Sequence, residues 1–170
     1  DREAAGDRQP IVWVYSIVGD TGKSYMSNYL QKHEDAFCVG ISGKSRDLKY
    51  LLLQEYKKRK CLWSRPLVVA DLSRAESGFL DKVAIYEALE VILGNFQSDK
   101  YKGGTVEWKD GFPQVVVFAN APPNTTFLSP DRLAVYLIKN DLTLMKDIKV
   151  VEALEHQRTE LLEAQKAREQ

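Results

Sequence analysis

Residues 11–24 read IVWVYSIVGDTGKS. The first five are almost continuously apolar, which is typical of a strand buried on both faces of a parallel sheet. The glycine-rich stretch Gly19–Ser24 follows, and the segment after it has the apolar spacing of a helix. A strand, a glycine-rich turn and a helix in this order form the context that supports a phosphate-binding loop. The stretch therefore predicts an α/β fold with an anion site where the first strand ends.

The candidate phosphate loop (Gly19–Ser24) carries the residue types that a polyphosphate requires. Glycines let the backbone wrap around the ligand, and the free N–H groups at the helix start point towards its negative charge. Lys23 is expected to reach the β- and γ-phosphates, and Ser24 to hold Mg²⁺ through its hydroxyl. The residues predicted to bind the nucleotide are Gly19, Asp20, Thr21, Gly22, Lys23 and Ser24.

The loop departs from the consensus G-x-x-x-x-G-K-[ST] at its first position. That glycine would fall at residue 17, which is Ile17, and the nearest available glycine is Gly19. We therefore expect the first turn around the phosphates to differ from the usual one. The alternative is that Gly-Lys-Ser only forms a turn and a helix cap.

Two further polar side chains stand at the ends of apolar runs. Asp71 follows the run at 67–70, and Asn120 follows the run at 115–119. Because ligands of parallel sheets collect at the carboxyl ends of the strands, we expect Asp71 to hold Mg²⁺. Asn120 is expected beside it, orienting the attacking water and sensing the γ-phosphate. The alternatives are a helix cap or turn for Asp71 and an Asx turn before two prolines for Asn120.

Strand-like and helix-like segments alternate along the chain, which predicts a central, mostly parallel sheet flanked by helices. A Gly-Gly pair at 103–104 between two short runs predicts a β-hairpin inserted within 94–111. Such an insertion need not serve the core, so it is a candidate functional loop. The expected strands are 11–15, 36–41, 67–70, 114–119 and 134–138, and the expected helices are 23–32, 46–60, 81–93 and 147–168.

Composition narrows the classes of protein. The chain has 170 residues, of which 44% are hydrophobic, so a single ordinary globular domain is expected and disorder is excluded. Lys plus Arg and Asp plus Glu both number 24, which excludes a polybasic nucleic-acid coat but not a local basic site. The longest apolar runs are far shorter than the ~20 residues of a membrane span, so no membrane partner is expected.

Several motifs in this order resemble those of superfamily 3 helicases, most closely the helicase domain of the replication initiator (Rep) of small circular single-stranded DNA viruses, the CRESS-DNA group. The likeness runs from about residue 11 to about residue 138. The ordered set of motifs is more specific to this family than any one motif alone. The segments that carry it are Gly19–Ser24, 68–74, Lys100-Tyr101, 116–123 and 128–133.

The resemblance implies an AAA+-like P-loop NTPase that forms a ring, usually a hexamer. Such a motor hydrolyses ATP with Mg²⁺ and moves 3′ to 5′ along single-stranded DNA in the host nucleus. It also implies an ATPase domain, which we expect at 10–142. The residue pattern predicts a polar linker at 1–9 before it and a helical tail at 143–170 after it. The implied roles are Lys23 and Ser24 for ATP and Mg²⁺, Asp71 for Mg²⁺, Asn120 as sensor and Arg132 as arginine finger.

In such a motor the inserted hairpin is expected to grip DNA. Lys100 and Lys102 can pair with phosphates, and Tyr101 offers a face for a base or sugar. The alternative is a surface hairpin whose lysines only keep it soluble, because three acidic residues nearby cancel the basic charge.

Two other classes of protein stay open. A P-loop small-molecule kinase would carry an arginine-rich lid, and the sequence has no such segment. A nucleotide-dependent DNA-binding or assembly module with little turnover is favoured slightly by the absence of a second carboxylate directly after Asp71. The nearest acid is Glu76.

Overall fold

The computed structural model describes most of the chain between residues 10 and 147. Within this part the chain forms one six-stranded sheet, a two-stranded hairpin and three helices. The described residues are 10–34, 36–39, 45–60, 66–73, 83–109, 111–124, 126–128, 132–147 and 152.

Strands and helices alternate over the first six elements, and the rest of the described chain consists of five consecutive strands. The strands are β1 (Ile11–Tyr15), β2 (Phe37–Val39), β3 (Leu67–Asp71), β4 (Phe96–Ser98), β5 (Gly104–Val106), β6 (Gln114–Ala119), β7 (Leu133–Ile138) and β8 (Leu144–Lys146). The helices are α1 (Lys23–His33), α2 (Ser45–Lys58) and α3 (Val83–Ile92).

The predicted sheet is confirmed as an α/β sheet that is mostly parallel. Its strand order is β2-β3-β6-β1-β7-β8, and only β8 runs antiparallel to its neighbour. The chain leaves β1 towards β2 on one side and later returns to add β7 on the other. The order thus reverses at β1, and such reversals open a crevice at the carboxyl ends of the strands.

The sheet is buried on both faces, as the apolar run in β1 predicts. Ile11, Trp13 and Tyr15 belong to the larger core cluster, whereas Val14 belongs to a smaller one on the opposite face. The smaller cluster packs against Leu30 of α1. The larger one includes apolar side chains of α2, α3 and the β4–β5 hairpin. The hairpin is therefore anchored in the core, although it is inserted between sheet strands.

The inserted hairpin is present, but its register differs from the prediction. Residues 100–102 were expected in its first strand, with the two glycines at the turn. Instead β4 ends at Ser98, and residues 99–103 form a five-residue connection, which we call the hairpin tip. Tyr101 has φ 56° and Gly103 φ 61°, and the Gly103 N–H donates to the Lys100 carbonyl at 3.2 Å. These positive φ values form a turn, so the strand ends before it.

Strand β8 was not expected. It pairs with the last residues of β7, so the sheet continues past the domain boundary predicted at residue 142. A turn at 139–143 joins the two strands, with Leu142 at φ 64° and Thr143 donating to the Asp141 carboxylate. All three β8 residues are exposed, so no alternation of apolar and polar residues marks the strand.

Some predictions fall on residues that the structure does not describe. They include the N-terminal linker, Glu76 and almost all of the helix at 147–168. In the part of the chain that is described, no helix combines the length and apolar character needed to span a membrane.

Candidate functional site

A cleft of about 440 Å³ opens at the carboxyl ends of β1, β3 and β6. This is the crevice that the strand order predicts. It brings the whole candidate phosphate loop together with Asn120, as the sequence suggested. The cleft is lined by Gly19, Asp20, Thr21, Gly22, Lys23, Ser24, Tyr25, Ser73 and Asn120.

The loop enters α1 through a left-handed residue. Gly22 caps the helix with φ 81°, a conformation that is unfavourable for residues with a Cβ, and as a glycine it makes no side-chain capping hydrogen bond. The first turn also contains no acidic residue. The uncapped N–H groups therefore leave the partial positive charge of the helix end available to an anion in the cleft.

Lys23 is buried, with only 5% of its surface exposed. Its Nζ donates to the Ser16 and Thr21 hydroxyls, the latter at 3.1 Å, and forms no ion pair with any described residue. Burial lowers the pKa of Lys23, and the negative charge of Asp71 partly offsets this effect. Within the described part of the chain, the Lys23 ammonium is thus solvated by hydroxyls and contacts no carboxylate.

Ser73 connects Ser24 to Asp71. The Ser24 and Ser73 hydroxyl oxygens lie 3.5 Å apart, and Ser73 donates from both its hydroxyl and its backbone N–H, the latter at 3.0 Å, to Asp71 Oδ1. The turn that was the alternative for Asp71 is therefore present. It does not remove the carboxylate from the site, because Ser73 itself lines the cleft.

Asn120 lies next to this cluster, as predicted. Strand β6 pairs with β3, with Phe118 opposite Asp71, so the residues that follow the two strands are neighbours. The Asn120 side-chain amide donates to the backbone carbonyl of Ser73. Its contact with Asp71 is thus indirect, through the turn that both share.

The described residues contain no group of three or more His, Cys, Asp and Glu side chains that could hold a metal ion. The predicted Mg²⁺ ligands, Ser24 and Asp71, offer a hydroxyl and a carboxylate on either side of Ser73. Magnesium needs few protein ligands when waters and phosphates complete its octahedron, and all of these ligands are oxygens. The donor set fits Mg²⁺ bound together with a polyphosphate.

Arg132 lies away from the cleft. It directly precedes β7, whose first residue is opposite Ile11 at the start of β1, whereas the cleft adjoins the other end of β1. Its guanidinium forms an ion pair with Glu90 of α3. The structure therefore separates Arg132 from the phosphate loop of the same chain by the length of a strand.

The hairpin tip is fastened to α2. Lys100 pairs with Asp47, and its ammonium also lies 5.5 Å from the centre of the Tyr50 ring. The hydrogen bond to Asp47 raises the pKa of Lys100. The Tyr101 ring contacts the Tyr50 ring in a tilted arrangement, with ring centres 5.2 Å apart, and 78% of the Tyr101 surface is exposed. Lys102 is also exposed.

Three residues of the cleft region were missed in the sequence. Ser16 holds Lys23, Ser73 links Asp71 to Ser24 and Asn120, and Tyr25 stands at the rim. Ser73 had a usable signal, since an aspartate after a strand often forms an Asx turn with the backbone N–H two residues on, which here belongs to Ser73. A single serine or tyrosine beside a loop carries no comparable signal.

Comparisons with known proteins relate the chain to replication proteins, although no protein-family model matches it. It is 30% identical over 129 residues to the master replication protein of Faba bean necrotic yellows virus (isolate Syrian SV292-88), covering 75% of this chain and 39% of that protein. The master replication protein of Milk vetch dwarf virus (isolate N) gives the same values. The Para-Rep C1 protein of Faba bean necrotic yellows C11 alphasatellite is 28% identical over 133 residues, covering 78% of this chain and 42% of that protein.

The aligned region therefore spans about 40% of the length of the curated relatives it matches. It includes at least three quarters of this chain. Over that length, the chain is similar to viral master replication proteins and alphasatellite Para-Rep proteins.

Proposed function

We propose that this chain is the ATPase motor domain of a viral replication initiator of the superfamily 3 helicase type. It hydrolyses ATP with Mg²⁺ to translocate 3′ to 5′ on single-stranded DNA. The similarity to master replication proteins supports a role in replication. The nucleotide chemistry rests on the cleft.

The observation that carries the proposal is the setting of Lys23. Among the described residues, the buried Lys23 ammonium is hydrogen-bonded only to hydroxyls, and it lies beside an uncapped helix start. A bound anion would neutralise this charge. A triphosphate supplies such an anion. Purely structural lysines are more often paired or exposed than enclosed at the end of a glycine-rich loop.

The chain's own residues then have distinct tasks. Lys23 neutralises the β- and γ-phosphates, and Ser24 and Asp71 are the ligands for Mg²⁺, which screens the phosphate charge when bound. Asn120, whose side-chain amide donates to the Ser73 carbonyl, orients the attacking water in this proposal. Ser73 holds the Asp71 carboxylate in one orientation.

The remaining parts of the proposal concern assembly and DNA. A ring of subunits, six by family resemblance, brings Arg132 of one chain to the cleft of its neighbour, because Arg132 lies too far from its own. The hairpin tip, with Lys100, Tyr101 and Lys102, contacts single-stranded DNA. An initiator of this kind works in the host nucleus.

The test is the rate of ATP hydrolysis by the 170-residue chain with and without single-stranded DNA. We expect turnover that DNA stimulates. Phosphate transfer to a metabolite in place of hydrolysis would indicate a small-molecule kinase and contradict the proposal.

One observation favours a second function, a nucleotide-dependent assembly module with little turnover. Asp71 Oδ1 is occupied by two hydrogen bonds from Ser73, and no second acid follows Asp71 directly. Such a site would bind nucleotide without activating water well. Tight ATP binding with no turnover, with or without DNA, would favour this function.

A further inference from the structure

Tyr25 stands at the rim of the cleft with its ring in solvent. It is the third residue of α1, and 74% of its surface is exposed. Successive helix side chains point about 100° apart, so these three residues diverge. Lys23 turns into the loop, Ser24 turns towards Ser73, and Tyr25 turns outwards.

We propose that the Tyr25 ring is the platform on which the base of the bound nucleotide stacks, an inference that rests on the proposed nucleotide site. With the triphosphate in the loop, the base and ribose must lie outside it, at the rim. Tyr25 is the only aromatic residue among the described residues that line the cleft. Its ring is exposed, so a base can reach its face without displacing a core side chain.

Stacking also defines which ligands the platform accepts. Every base presents a π-face, so an aromatic ring binds bases with little regard to their edges. The platform therefore accepts adenine and guanine nucleotides alike, and any choice between them has to come from other groups. Tripolyphosphate, which has no base, gains nothing from the ring.

The same helix offers a matched control. Tyr29 lies one turn further along α1, is also exposed, and contacts the His33 ring at 4.5 Å between centres. It does not line the cleft. Replacing Tyr29 removes an exposed tyrosine from the same face of the helix without touching the rim.

The experiment measures binding of Mg²⁺ with ATP, GTP or tripolyphosphate to the 170-residue chain by calorimetry. We expect Tyr25→Ala to raise the Kd for both nucleotides by at least about fivefold, the lower end of the effect of removing an aromatic ring on which a base stacks. The Kd for tripolyphosphate should not change. Tyr25→Phe, which keeps the ring, and Tyr29→Ala should both bind as the wild type does.

The outcomes separate this inference from the proposed function. If the wild type binds neither ATP nor tripolyphosphate, the proposed nucleotide site is wrong, and so is the inference about Tyr25. If both bind but Tyr25→Ala leaves the two nucleotide Kd values unchanged, only the platform is wrong. An equal loss of ATP and tripolyphosphate binding in Tyr25→Ala would also overturn it, because the ring would then shape the loop instead of contacting the base.

Discussion

The candidate phosphate loop and the hairpin tip each hold a lysine at which we expect a phosphate, but the two lysines are held differently. Lys23 is buried among hydroxyls and forms no ion pair with a described residue. Lys100 lies at the surface, paired with Asp47. An anion at the first site relieves the cost of an enclosed charge. An anion at the second has to displace a carboxylate.

The two sites are also fastened differently. Tyr15, the last residue of β1, leads into the loop and donates a buried hydrogen bond of 2.6 Å to Asp147. The hairpin tip is joined to α2 by two ion pairs near the surface, the part-buried Lys100–Asp47 pair and the exposed Arg46–Asp99 pair. Buried hydrogen bonds resist opening more than exposed ion pairs, which salt and water weaken. We therefore expect a rigid nucleotide site and a hairpin tip that can be released.

The strongest test of this contrast is Lys23→Met. We expect ATP turnover to fall by more than about 10³-fold, because the change removes both phosphate binding and charge stabilisation in the transition state. The matched control is Lys32→Met, an exposed lysine of the same helix, which should keep wild-type turnover. Turnover within a few-fold of wild type in Lys23→Met would contradict the phosphate-loop assignment.

The same variant tests whether the buried charge of Lys23 lowers the free energy of unfolding of the nucleotide-free chain. Burial lowers the pKa of Lys23 from its ordinary value of 10.5. The loss of unfolding free energy is therefore complete below the folded-state pKa and disappears as the pH rises to 10.5. We expect the unliganded variant to melt at or above the wild-type temperature at pH 7. The difference should close towards pH 10.5, as measured by thermal unfolding across pH.

A second test concerns Arg132, which also has a carboxylate partner. If it acts on a neighbour's nucleotide, Arg132→Ala should lower turnover by about 10³-fold, and mixing it with Lys23→Met should restore some activity. Glu90→Gln breaks the same ion pair and should keep turnover. An equal, small loss of stability in both variants with normal turnover would mean that the pair is only structural. Absence of recovery in mixtures shown to co-assemble would also count against a shared site.

Local pattern and strand order were enough to predict much of the fold and the cleft. The apolar run of β1 and the Gly-Lys-Ser sequence are contiguous, so both could be interpreted directly. Asp71 and Asn120 were correctly expected to be neighbours because parallel strands place their carboxyl ends at one edge. That rule also explains Arg132: a residue before a parallel strand must lie at the opposite edge.

The missed features depend on contacts between distant segments or on weak patterns. Lys100 and Asp47 are 53 residues apart, and neither position indicates the other. The hairpin register depended on which residues take positive φ, and Tyr101 is an unusual choice for that conformation. Strand β8 was missed because it is exposed throughout and relies on pairing with β7.

A third test addresses the bond behind the phosphate loop. Burial and the Asp147 carboxylate raise the pKa of Tyr15 to about 12. The folded-state pKa lies above the ordinary value of 10. The contribution of the Tyr15 hydrogen bond to stability is therefore complete below pH 10 and is lost as the pH rises to about 12. We expect Tyr15→Phe to cost up to about 2 kcal/mol of unfolding free energy at pH 8.

The measurement is denaturant unfolding of both proteins between about pH 8 and pH 12. The wild-type and Tyr15→Phe curves should converge over the upper part of that range. Tyr136→Phe, on the adjacent strand β7, is the control and should run parallel to wild type. Parallel curves for Tyr15→Phe would mean that the Tyr15 bond adds no pH-dependent stability.

The smallest expected effect concerns the release of the hairpin tip. Asp47→Asn removes the charge that holds Lys100, so single-stranded DNA should bind more tightly, by less than about tenfold, because ion pairs near the surface are weak. Lys100→Ala should bind DNA more weakly. Its salt dependence should be shallower by about 0.7 in the logarithmic slope for each phosphate that Lys100 no longer neutralises. Glu34→Gln, which removes an exposed acid from the end of α1, controls for overall charge.

Fluorescence anisotropy with a labelled oligonucleotide, repeated over a range of salt, measures these changes. The opposite signs of Asp47→Asn and Lys100→Ala are the decisive feature, because a general change in net charge moves Asp47→Asn and Glu34→Gln together. If Asp47→Asn and Glu34→Gln tighten DNA binding equally, Lys100 does not bind a DNA phosphate. The hairpin tip is then a surface turn held by its ion pairs, and Lys23 differs from Lys100 because only Lys23 binds an anion.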